Sequence, residues 1–111
     1  MSEVSNKFDP GCIDLVTVDE SNNVFKLIVA ASDVTSMEAT DADALRQKLS
    51  NYVSMGGSGQ LQERYPSLVG MGCVIQVDVA SNAPQALLRI ASEFETKASS
   101  NGLTLTICEI E

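Results

Sequence analysis

Cys-Val-Ile-Gln-Val-Asp-Val, residues 73–79, is the stretch that decides the fold. Apolar side chains occupy every second position and alternate with Gln76 and Asp78, which is the pattern of a strand with one apolar face. Ser81-Asn82, with Pro84 just behind, marks the start of a helix. A strand that leads into a helix is the first half of a βαβ unit, in which the two strands run parallel.

The segment that follows completes this unit. The predicted helix has one apolar stripe at helical spacing, formed by Leu87, Ala91, Phe94 and Ala98. Asn101-Gly102 is typical of a helix end. Residues 103–108 then alternate between apolar and smaller or polar side chains, which predicts a final strand.

The chain before residue 73 adds a hairpin and a second helix. Residues 13–18 and 24–31 are β-branched, apolar runs separated by the turn-rich stretch 19–23, which predicts two antiparallel strands. Thr40 is predicted to be the N-cap of the helix, whose apolar stripe is Leu45, Leu49, Tyr52 and Val53. Gly56–Gly59 is expected to end or break this helix, and residues 60–65 to add one or two turns.

These elements predict an α/β fold, with α+β as the other possible class. The order is ββαβαβ, and we expect a four-stranded mixed sheet with two main helices packed on it. Residues 13–111 form one predicted domain behind a flexible leader at 1–12. The sequence has no run of about 18 apolar residues and no signal-peptide pattern at its N-terminus, so the expected location is the cytoplasm.

The charge balance favours some partners over others. The chain of 111 residues has 7 basic and 15 acidic side chains, a net charge of −8. A field of that sign repels nucleic acid and anionic lipid, and no membrane or nucleic-acid partner is expected. A basic protein is the partner that it favours. The alternative is that the negative charge only keeps the protein soluble.

The side chains available for catalysis are limited. The sequence contains no histidine, which removes the commonest general base and the commonest metal ligand. The three cysteines are far apart, so they form neither a zinc motif nor a disulfide framework. Cys73 and Cys108 are expected to be small buried hydrophobes, while Cys12 follows a turn and should be more exposed. No catalytic residue, metal site or cofactor is predicted, and an enzyme is not expected.

The glycine-rich segment Gly56-Gly57-Ser58-Gly59 resembles two catalytic motifs only superficially. A nucleophile elbow needs a further glycine and lies between a strand and a helix. A phosphate-binding loop needs Lys-Ser or Lys-Thr after its glycines. Neither condition holds here. A helix C-cap with a turn is the favoured interpretation, and a mobile lid or partner loop is the alternative.

An acidic run with no base in it comprises Asp33, Glu38, Asp41 and Asp43. One interpretation is a solvated loop and helix start, with Asp41 and Asp43 facing the positive end of the helix dipole. The more specific interpretation is a docking patch, in which a basic protein contacts all four acids. A calcium site is disfavoured, because the ligand spacing of an EF-hand is missing.

The segment Gln60-Leu61-Gln62-Glu63-Arg64-Tyr65-Pro66 has a distinctive composition. Leu61 and Tyr65 are four residues apart and are expected to pin it to the core. Gln60 and Arg64 would then be presented at the surface, where they and Tyr65 could supply the polar contacts of a small pocket. Packing followed by a proline stop is the simpler interpretation.

The chain resembles a family of small uncharacterised bacterial proteins of about a hundred residues. The resemblance is carried mainly by Gly59-Gln60-Leu61 and Tyr65-Pro66, with the hairpin, the helix from Leu45 and the strand Val74–Asp78 in the same order. Family members usually have an acid before Gly-Gln-Leu, where this chain has Ser58. The resemblance implies a bacterial source and one compact domain, and it supplies no activity, cofactor or catalytic residue.

Three functions follow as hypotheses. The first is a cytosolic protein-interaction module, specifically an immunity-type inhibitor that binds a basic toxin domain through the acidic run. The second is a small-molecule-binding or carboxylate-dependent enzyme domain with a pocket near residues 56–65. The third is a structural homodimer joined through an exposed edge strand.

Overall fold

The computed structural model describes residues 15–32 and 34–110, so the predictions for the leader, Cys12 and Asp33 lie outside it. The described chain folds into four strands, three α-helices and a 3₁₀ turn. In chain order these are β1 Leu15–Asp19, β2 Val24–Ala31, α1 Ala39–Ser58, α2 Gln60–Arg64, the 3₁₀ turn Pro66–Leu68, β3 Gly72–Ala80, α3 Gln85–Ser100 and β4 Thr104–Ile110.

The four strands form one mixed sheet in the order β1-β2-β3-β4. β1 pairs antiparallel with β2, with Thr17 opposite Lys26. β2 and β3 are parallel, and so are β3 and β4, with Ile75 opposite both Leu27 and Leu105. The predicted α/β class and the mixed four-stranded sheet are therefore confirmed.

The helices lie on one face of this sheet. Connections between parallel strands are right-handed, and the two crossovers step across the sheet in the same direction, so α1 and α3 cover the same face. The two helices contact each other. Phe25, Leu27, Ile75 and Val77 point into this layer and are fully buried, while Gln76 on the other face is only partly buried. The core thus lies between one helical layer and one face of the sheet.

Polar contacts hold the hairpin and its neighbour together. Asp19 accepts hydrogen bonds from the hydroxyl of Ser21 and the side-chain amide of Asn22, at 2.8 and 2.7 Å. These two bonds favour the ionised form and lower the pKa of the partly exposed Asp19. Asn23, with φ 57°, donates its side-chain amide to the carbonyl of Gly70. The turn is thereby tied to the loop that leads into β3.

Helix α1 differs from the prediction at its start, and it ends within the glycine-rich segment as predicted. Glu38, not Thr40, is the N-cap, and its backbone N–H donates to Oδ2 of Asp41 at 3.0 Å. The helix also continues through Gly56 and Gly57 and ends at Gly59, whose φ of 85° is left-handed. Gly59 is therefore the C-cap that the glycine-rich segment predicted, and α2 confirms the extra turns after it.

Candidate functional site

Of the four acids predicted to bind a partner, three are described, and only two of these are exposed. Glu38 and Asp43 are exposed at the start of α1. Asp41 is only 4% exposed, because its side chain turns back to the N–H of Glu38. A carboxylate that caps its own helix is satisfied within the chain, so Asp41 is not part of the surface that a partner would contact. Asp33 lies outside the described residues.

The topology brings other acids to the same end of the sheet. Helices α1 and α3 follow β2 and β3, so their N-termini lie at the carboxyl ends of the parallel strands. Asp78 lies near the end of β3 and Glu109 near the end of β4, opposite Val79. We call Glu38, Asp43, Asp78 and Glu109 the acidic edge. In the part of the chain that the structure describes, the strand ends and first helical turns there contain no Lys or Arg.

The acids of this edge differ in their surroundings. Asp78 is partly buried and accepts a 2.7 Å hydrogen bond from the side-chain amide of Gln76 on the same strand. Glu109 is exposed. Sequence reasoning did not group either residue with the acidic run, although their places near the ends of two predicted parallel strands were a usable signal. The edge is therefore formed by three segments that are distant in sequence.

The segment predicted to line a pocket faces solvent. Gln60 and Arg64 are exposed on α2, and Tyr65 is 50% exposed. Leu61 is buried as predicted, but the prediction that Tyr65 also pins the segment is wrong. Leu68, in the turn after Pro66, is 3% exposed and provides the second apolar anchor instead. Turning the chain at Pro66 directs Leu68, rather than Tyr65, into the core.

A buried polar group lies on the inner side of α1. Lys48 is 1% exposed, and its Nζ lies 5.8 Å from the centre of the Tyr52 ring. The Tyr52 hydroxyl donates to the carbonyl of Ile28 on β2 at 3.4 Å. Sequence reasoning missed Lys48 as a buried residue, although it lies three residues after Leu45 and four before Tyr52, on the apolar stripe. Through the hydrogen bond from Tyr52 to Ile28, the Lys48–Tyr52 pair links α1 to the sheet.

The described cysteines differ in exposure. Cys73 on β3 is buried, which raises the pKa of its thiol to about 11. Cys108 on β4 is partly exposed, so the prediction that both are buried holds only for Cys73.

The two thiols should therefore react at different rates. Since the thiolate is the nucleophile, iodoacetamide at pH 8 is expected to alkylate Cys108 and leave Cys73 unmodified in the folded protein. Peptide mass mapping measures this, with urea-unfolded protein as the control in which both react. Equal alkylation of both thiols in the folded state would contradict the burial of Cys73.

The raised pKa of the Cys73 thiol also affects the stability of the fold at high pH. The neutral thiol stabilises the fold fully below pH 9, and this contribution is lost as the pH rises towards 11.

A shallow groove runs along the outer side of α3. Its volume is about 340 Å³, and its lining residues are Gln85, Leu88, Arg89 and Ser92. All four lie on one helix at spacings of three and four residues, so they line one side of it. Three of the four are exposed. The groove is thus an open surface feature with a single apolar side chain, Leu88.

The described chain has neither a cluster of metal-binding side chains nor a membrane-spanning helix. Within residues 15–32 and 34–110, no group of three or more Cys, Asp or Glu side chains is placed to hold a metal ion. None of the helices in the described chain is both long and apolar enough to cross a membrane.

The chain was compared with known families, curated proteins and solved structures. A family model described as a family of unknown function, DUF6572, matches residues 5–111. No curated protein matches the chain. No solved structure matches it either.

Proposed function

The chain belongs to DUF6572, a family of unknown function, and from that premise we propose that it is a protein-interaction module whose acidic edge binds a basic protein. The observation that carries the proposal is the placement of Glu38, Asp43, Asp78 and Glu109 at one end of the sheet, without a base in the adjoining strand ends and first helical turns of the described chain. The proposed binding surface is therefore the whole acidic edge and not only the solvated start of α1.

The electrostatic field of the acidic edge favours association with a basic protein. The chain has a net charge of −8, and four of its acids lie at the end of the sheet where three parallel strands end. A concentrated field of one sign steers an oppositely charged partner and suppresses wrong ones, with effects of roughly ten- to a thousandfold on association rates at low salt. Repulsion of phosphate follows from the same field, so nucleic acid is not the proposed partner.

The finer proposal is an immunity-type inhibitor of a toxin domain in the cytoplasm. A toxin that acts on nucleic acid needs a basic surface to bind its substrate. An acidic edge that covers such a surface would block the substrate without any chemistry of its own. This role requires neither a catalytic residue nor a cofactor, and we propose that the chain is not an enzyme.

Neutralising exposed acids tests this function. We expect Glu38→Gln/Asp43→Asn to weaken capture of a basic protein from a lysate of the source organism, because two charges leave the acidic edge. The matched control is Glu20→Gln/Glu63→Gln, which removes the same number of exposed charges elsewhere. Quantitative mass spectrometry of the retained proteins measures the effect. The expected loss is about tenfold at low salt for the first variant and little for the control. Equal retention by both variants would overturn the proposal.

A further inference from the structure

We draw no further inference here: the strongest candidate, the exposed apolar patch formed by Leu15, Val16 and Val18 on the edge strand β1, is an unpartnered surface, and nothing in the described part of the structure shows what covers it.

Discussion

Tyr52→Ala is expected to lower the free energy of unfolding by about 3–5 kcal/mol, the usual cost of removing a large buried aromatic side chain. Tyr52 is fully buried in α1, against β2. Its loss leaves a cavity and also removes the ring that faces the ammonium group of Lys48. Because domains of this size are stable by about 5–15 kcal/mol in total, the variant should be close to unfolding at room temperature. Urea titration followed by circular dichroism measures the change.

Tyr52→Phe is the control for this experiment. It keeps the ring and removes only a hydroxyl whose 3.4 Å bond to the Ile28 carbonyl is long. The expected cost is about 1 kcal/mol or less. If Tyr52→Phe proved as destabilising as Tyr52→Ala, the hydroxyl and not the packing of the ring would hold α1 on the sheet.

Gly56→Ala is expected to destabilise the fold by about 1–3 kcal/mol through overpacking. A Cβ at Gly56 would lie 2.9 Å from Sγ of Cys73 and 3.2 Å from a methyl group of Leu103. Both neighbours are buried, so neither has free space to move into. Glycine is required here because α1 approaches β3 and the start of β4 at this point. Thermal and urea unfolding measure the effect.

The adjacent glycine supplies the matched control. A Cβ at Gly57 would lie 3.4 Å from Cβ of Asn101, an ordinary contact at an exposed position. Because alanine is the better helix former, Gly57→Ala should leave the stability unchanged or raise it by up to about 1 kcal/mol. If the two alanine variants lost the same stability, helix geometry rather than the contact with Cys73 would explain the loss.

Much of the fold could be predicted because its signals are local. Alternation over residues 73–79, the turn at 19–23 and the helical stripe from Leu87 depend only on neighbouring residues, and the handedness of crossovers then limits the strand order. The course of α1 through Gly56 and Gly57 could not be predicted. Glycine is a stop signal in sequence, and only the contact with Cys73 and Leu103, distant in the chain, explains its place inside the helix.

Less of the candidate site than of the fold could be predicted from the sequence. Glu38 and Asp43 were predicted as exposed acids, because an acidic run before a helix is visible in sequence, and both are exposed. Asp41 was misplaced, because which acid of such a run turns back to cap the helix depends on where the helix begins. Lys48 was missed because lysine is rarely buried, and its burial follows from the packing of α1 on the sheet. Tyr65 was misplaced because Pro66 redirects the chain.

The association rate of the captured basic partner, measured at low and at high salt, tests most directly whether the acidic edge is the functional surface. Surface charges act over roughly 10 Å at 0.1 M salt, and less as salt increases. We predict that the rate for the unmodified chain falls at least roughly tenfold between 0.02 and 0.5 M salt. It should already be low, and nearly independent of salt, for Glu38→Gln/Asp43→Asn. A rate that is insensitive both to salt and to these two substitutions would contradict binding through the acidic edge.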